Sequence, residues 1–224
     1  MENQSQSYRQ QRLYNYTGIG VDERTYNLTI GLTLLWGAVI NILMAVFLQP
    51  VILRMNYLLI IVLYFAGTLG CSAIVHRSQT PAVSFLGFSG MAFSMGLLLT
   101  YYVYFFTAGS VLYAFLATGL VTIIMIILSM LYPAFFQGLG RTLFVALLGC
   151  IISEVVLGLI FRANIGFIDY IVALVFCGYI GYDWNRAQQF PKTVDNAVDC
   201  AADIYLDCVN LFVRILSITG KRRN

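Results

Sequence analysis

Gly178-Tyr-Ile-Gly-Tyr-Asp183-Trp-Asn-Arg186, followed after a short polar connection by Asp203-Ile-Tyr-Leu-Asp207-Cys-Val-Asn210-Leu-Phe212, decides how this chain folds. Each stretch is apolar and each carries an aspartate in hydrophobic surroundings. Asp183 and Asp207 lie 24 positions apart, with Phe190-Pro191-Lys192-Thr193 between them. Pro191 cannot continue a helix and Thr193 is suited to cap the next one, so a helical hairpin is expected. Ionisable groups inside membrane-spanning helices are costly to bury and mark functional sites. Two of them on adjacent helices point to a coupled pair.

Working outward, the composition sets a membrane around this hairpin. Of 224 residues, 60% are hydrophobic and only 10% charged, and the mean hydropathy is +0.82. Soluble domains carry about a quarter charged residues. No Asp, Glu, Lys or Arg occurs from Ser78 to Gly140, more apolar surface than a soluble domain of this length hides in one core. A polytopic, all-α membrane protein follows. The net charge of +3 sits mostly at helix ends and gives no ground for nucleic-acid binding. The five cysteines, Cys71, Cys150, Cys177, Cys200 and Cys208, lack metal-ligand spacing and read as buried free thiols. The single histidine, His76, excludes hydrolases built on several histidine zinc ligands.

Three parts are expected: a polar segment 1–25, a seven-helix domain 26–220 and a basic tail 221–224. No basic stretch leads into a cleavable apolar core, so no removable signal peptide is expected. The spans are placed at Asn27–Leu48, ended by Gln49-Pro50; Met55–Val75; Ala82–Phe105; Val111–Leu131; Thr142–Phe161, closed by Arg162 and Asn164; Ile165–Ala187; and Val194–Thr219, with Gly220 as a fitting C′ residue. Thr107-Ala-Gly109-Ser110 is the break inside the charge-free block, and Tyr101, Tyr102 and Tyr104 beside it suit an interfacial belt. Ala66/Gly70, Gly90/Ser94 and Gly149/Ser153 are spaced for close helix packing. No internal repeat points to an inverted-repeat transporter. Basic residues lean towards an N-terminus inside the cell.

On the last span Asp195, Asp199, Asp203 and Asp207 recur every four residues, along one face. Asp195 suits the first turn of a helix, where the dipole favours an anion. Asp199 and Asp203 are candidates for an ion pathway leading to Asp207. Glu154, in mid-span, either lines the same pathway or is a protonated structural group. Asp169 reads as a boundary residue, and His76 and Arg77 as interfacial groups. Helix six has few residues beyond Asp183 and helix seven many before Asp207, so the turn must climb or a helix must tilt for the two to meet.

Tyr182-Asp183, then Tyr205-Leu206-Asp207 with Asn210-Leu211-Phe212 beyond, resembles the transmembrane Bax inhibitor motif family in its bacterial branch. The likeness is specific over the last forty-five or so residues and general elsewhere. It implies six helices around a central seventh in a bacterial plasma membrane, with no enzymatic activity and no resident cofactor. It further implies a calcium leak gated by protons through Asp183 and Asp207, with transient Ca²⁺ contacts there and Arg77 as a latch. Asp203 departs from the apolar residue usual at its position. Two carboxylates about 4 Å apart repel by about 4 kcal/mol at an effective dielectric near 20. With about 1.4 kcal/mol per pK unit, such a pair holds a shared proton towards neutral pH and titrates as one unit. Deprotonated, it suits a hard cation that prefers oxygen ligands. Two rival readings differ. A presenilin-type intramembrane aspartyl protease needs Gly-x-Gly-Asp where this chain has Ile204-Tyr205-Leu206-Asp207. A non-catalytic regulator would bind other membrane proteins and leave the aspartates incidental.

Overall fold

The computed structural model describes residues 19–157 and 166–223. The polar residues 1–18, the end of the fifth span, Arg162 and Asn164 lie outside the described residues. Long helices are α1 (Glu23–Leu43), α2 (Tyr57–Arg77), α3 (Pro81–Val103), α4 (Ala108–Leu131), α5 (Gly140–Val155), α6 (Gly166–Ala187) and α7 (Val194–Thr219). Five stretches among the described residues are long and apolar enough to cross a membrane: Glu23–Ile52, α2, α3, α4 and α6. The described part of α5 is 16 residues long. α7 has 26 residues, but its aspartates and Arg214 set it apart from the apolar five.

Side-chain caps explain where several helices start. Asp22 accepts from Thr25 N at 3.1 Å, Asn56 from Leu58 N at 2.8 Å and Thr107 from Ser110 N at 3.4 Å. Thr193 accepts from Asn196 N at 3.0 Å, the cap expected of it. The hydrogen bonds from Thr25 hold the Asp22 carboxyl below its ordinary value. α1 therefore starts at Glu23, inside the polar segment, rather than at Asn27. Nor does Gln49-Pro50 end that helical path. Pro50 has no N–H and crowds the preceding turn, and the chain answers with a π-helical turn, Met44–Leu48, before a last helical turn, Gln49–Ile52.

The exposed faces of the helices are apolar. On α4, Leu116, Leu120, Ile123 and Ile127 are 51–61% exposed and follow one helical stripe. Soluble monomers rarely expose continuous apolar surface on this scale, whereas lipid covers it without cost.

The chain divides into two compact units, Met1–Tyr101 with Ala187–Ala202, and Tyr102–Arg186 with Asp203–Asn224. In the first, Met44, Ile52, Ile60 and Leu97 form a buried cluster. Backbone pairing ties the entry to α1 to the α6–α7 connection: Val21 N donates to Lys192 O at 2.8 Å, and Gly20 bridges Thr193. Tyr26, fully buried, donates its hydroxyl to Ala187 O at 2.9 Å. Lys192 Nζ sits 4.4 Å from the Tyr26 ring centre and donates to Gln188 O at 3.0 Å. Partial burial pulls the Lys192 ammonium below its ordinary value.

Close packing follows only part of the small-residue pattern. A Cβ on Gly90 would lie 2.8 Å from Cys71 Sγ, so α2 and α3 approach there, and one on Gly67 would collide with Ser94. Gly70 and Gly149, by contrast, have nothing within 4 Å. Their pairs are not packing contacts among the described residues.

In the second unit, Cys150, Ile168, Val172, Phe176, Ile180 and Leu211 form the buried cluster that joins α5, α6 and α7. α6 is held close by its own glycines. A Cβ on Gly178 would lie 2.6 Å from Leu143 Cδ2, and one on Gly181 would run into the Phe136 ring. Ser129 Oγ also donates to Gly181 O at 2.6 Å. Gly220, expected as a C′ glycine, serves through lack of a side chain, since a Cβ there would collide with Leu216 O and the Phe106 ring. The basic tail pairs with the loop before α4: Thr107 N donates to Lys221 O and Arg223 N to Phe105 O, both at 2.9 Å.

Gly181→Ala is expected to lower stability by about 1–3 kcal/mol through overpacking against Phe136. Gly149→Ala, into open space, changes it by less than about 0.5 kcal/mol. Thr193→Ala costs about 1 kcal/mol through the lost cap. Thermal unfolding of the purified protein in one detergent checks all three, and equal melting for the two glycine variants would contradict the packing account.

Candidate functional site

Three helices each turn one face to a cavity of about 500 Å³ within the second unit. α5 contributes Leu147, Cys150, Ile151 and Glu154; α6 contributes Val172, Phe176, Tyr179, Tyr182, Asp183 and Arg186; and α7 contributes Asp203, Leu206, Asp207, Asn210 and Arg214. On α6 and α7 the lining positions advance by threes and fours, the spacing of a single helical face. Each of the three helices brings at least one charged group to the cavity.

Asp207 is buried, at 7% exposure. Its Oδ2 receives no hydrogen bond from any donor among the described residues. Asp183 and Asp203 line the same cavity as Asp207. Asp183 and Asp207 are unequally distant from the hairpin turn, and the axial offset is about 14 Å at 1.5 Å per residue. The connection Gln188–Thr193, reaching up to about 20 Å when extended, has length enough to cover it. Arg186 faces the other side of the pair, with Nη1 at 3.7 Å from Asp183 Oδ1 and 3.9 Å from Asp203 Oδ2. Such long, part-exposed contacts stabilise weakly.

A second charged group lies on the same α7 face. Arg214 Nη1 is 2.6 Å from Glu154 Oε1 and 2.6 Å from Asp169 Oδ1. Nη2 donates to Glu154 Oε2 at 3.2 Å, and Ser217 Oγ donates to Asp169 Oδ2 at 2.6 Å. Glu154 lines the cavity, one of the two places expected for it, and an arginine sixty positions away reaches it. Asp169 sits in the first turn of α6, the boundary expected of it, and also joins α6 to α7. Arg214, the residue that sequence reasoning missed as a member of the site, lies eleven positions after Asp203 on the same helical stripe. That spacing was the signal available.

The aspartate stripe does not act as one set. Asp195 accepts from Ser84 Oγ at 2.7 Å, and Asp199 is fully buried; both belong to the first unit, and neither lines this cavity. Arg77, also in the first unit, ends α2 with His76, where basic groups suit the helix dipole. Among the described residues no three His, Cys, Asp or Glu side chains gather as a metal-binding group.

A helical membrane protein with a carboxyl-lined cavity among its last three long helices is the class these features define. Residues 20–224 match the family described as Inhibitor of apoptosis-promoting Bax1, and the chain belongs to that Bax inhibitor family. It is 23% identical to an uncharacterized membrane protein of Streptococcus pyogenes serotype M1, over 94% of this chain and 91% of the relative. It is 31% identical to the inner membrane protein YbhL of Escherichia coli K12 over 39% of this chain and 42% of YbhL. With Bax inhibitor 1 of Schizosaccharomyces pombe it shares 35% identity over 40% of this chain and 34% of that protein. This is a multi-pass membrane protein.

Arg186→Gln is expected to change unfolding stability by less than about 1 kcal/mol, because its contacts are long and part-exposed. A loss several times larger in thermal unfolding would mean that Arg186 is a structural clamp.

Proposed function

We propose that the protein is a pH-sensitive calcium leak channel of a bacterial plasma membrane, gated by Asp183 and Asp207. The observation that supports this reading is the convergence of Asp183 and Asp207 on one cavity that Asp203 also lines. Its substrate class, a hard divalent cation and protons, comes from the family resemblance and suits oxygen ligands. In this reading seven helices span the bilayer, with α7 surrounded by the other six, and no chemical step is catalysed.

At low pH the pair shares one proton, and the hydrogen bond holds α6 to α7. As pH rises the proton leaves, two anions face each other at close range, and the repulsion separates the helices or is relieved by Ca²⁺. Leak therefore increases with pH. Asp203, part-buried beside the pair, adds negative charge that raises the local concentration of divalent ions. Asp199, seated in the other unit, is a weaker candidate for that role. The resemblance assigns the latch to Arg77, whereas Arg186 is the cation placed beside Asp183 and Asp203. A non-catalytic regulator that binds other membrane proteins is the alternative, and the name of the yeast relative accords with it.

Ca²⁺ flux into liposomes across a pH series tests the leak. Asp183→Asn or Asp207→Asn is expected to abolish most of the pH dependence, because each leaves a lone carboxyl without a like-charged partner. Equal pH sensitivity in wild type and both variants sinks the dyad, and no flux in any of them favours the regulator. Arg77→Ala and Arg186→Ala, compared side by side, identify the latch as whichever raises the low-pH leak.

A further inference from the structure

The cavity holds four carboxyl groups, on Glu154, Asp183, Asp203 and Asp207, and two guanidinium groups, on Arg186 and Arg214. Arg186 makes ion pairs at 3.7 Å with Asp183 and 3.9 Å with Asp203. Arg214 is locked at 2.6 Å to carboxylates on two other helices, and one of these, Asp169, is itself fixed by Ser217. A guanidinium stays charged at every accessible pH, so this contact persists through any titration of the aspartate pair.

We propose that Arg214 stands in for a cation: its guanidinium fills, from within the chain, a cation site formed by Glu154, which lines the cavity that also holds Asp207, and by Asp169, which meets Arg214 outside that lining. Asp207 is buried and its Oδ2 takes no hydrogen bond from a donor, so the cavity contains an oxygen that a cation would satisfy. Along α7, Arg214 follows Asp207 by seven residues, about 10 Å. A cation that reaches Asp207 next meets carboxylate oxygens already taken. Because Arg214 donates to Glu154 Oε2 and Asp169 Oδ1, and stands in ion-pair contact with Glu154 Oε1 without a hydrogen bond to it, an entering ion must displace the guanidinium to advance. The tethered charge thereby limits basal leak independently of the proton shared by Asp183 and Asp207. This inference rests on the leak reading for its consequence in flux, and on geometry alone for the site.

The experiment measures equilibrium ⁴⁵Ca²⁺ binding to the full chain in detergent and Ca²⁺ flux in liposomes for Arg214→Gln, Arg214→Lys and Glu154→Gln/Arg214→Gln. Arg214→Gln is expected to bind one additional Ca²⁺ and to leak several-fold faster at low pH. Arg214→Lys, which restores a tethered cation, matches wild type in both. The double variant leaks faster without the additional Ca²⁺, since one carboxylate of the site is gone; it also preserves the charge balance of the cluster if Arg214→Gln alone fails to fold. Wild-type binding stoichiometry in folded Arg214→Gln, or wild-type leak in the double variant, overturns the proposal. Additional Ca²⁺ binding with no flux from any protein at any pH supports the site and refutes the leak reading instead.

Discussion

A carboxylate within a membrane-embedded helix is tolerable only when a proton, a cation or a set of hydrogen-bond donors reaches it. That constraint orders α5, α6 and α7. Glu154 and Asp169 meet it through Arg214, and Asp183 and Asp203 partly through Arg186. Asp207, the cavity carboxyl that is buried at 7% exposure, shares the cavity with Asp183 and Asp203. The shape of the second unit follows. α6 carries glycines where Phe136 and Leu143 press in, and a buried apolar cluster joins it to α5 and α7.

Much of this was legible from local chemistry. The residues of α7 run from Val194 to Thr219, as the turn signals around Pro191 and Thr193 indicate, and Thr107 caps α4 at the break in the charge-free block. Caps and turns depend on a few adjacent residues, so sequence carries them. The Bax inhibitor family was legible for a similar reason, from tyrosine–aspartate spacing within one hairpin. What failed depended on partners far away in the chain. Nothing beside Glu154 announces Arg214, and nothing within Gly149/Ser153 tells whether another helix passes there. Pro50 marks a break by local rules, yet a wider turn absorbs it. The four-residue repeat of aspartates likewise describes a helical face without saying which partners each turn of that face meets; Asp195 finds Ser84, whereas Asp207 shares a cavity with Asp183.

The two arginines of the cavity illustrate how one residue type is used at two strengths. Short, two-sided ion pairing fixes Arg214 between helices, and Arg186 pairs with Asp183 and Asp203 at longer range. A buried ion cluster of the first kind is a weak source of net stability but strongly restricts which arrangement of helices is compatible with its charges.

The pairing of the basic tail has a practical bearing on handling the molecule. Lys221 accepts from Thr107, the residue that caps α4, and its own N–H donates to Ser110 Oγ in the first turn of that helix. Arg222 bridges Phe106, and the Arg223 guanidinium lies 5.9 Å from the Tyr104 ring centre. The tail is thus a lace through the entry to α4, and an affinity tag fused directly after it would tug on that lace. A spacer before the tag, or a tag at the other terminus, keeps purification chemistry away from the start of a helix.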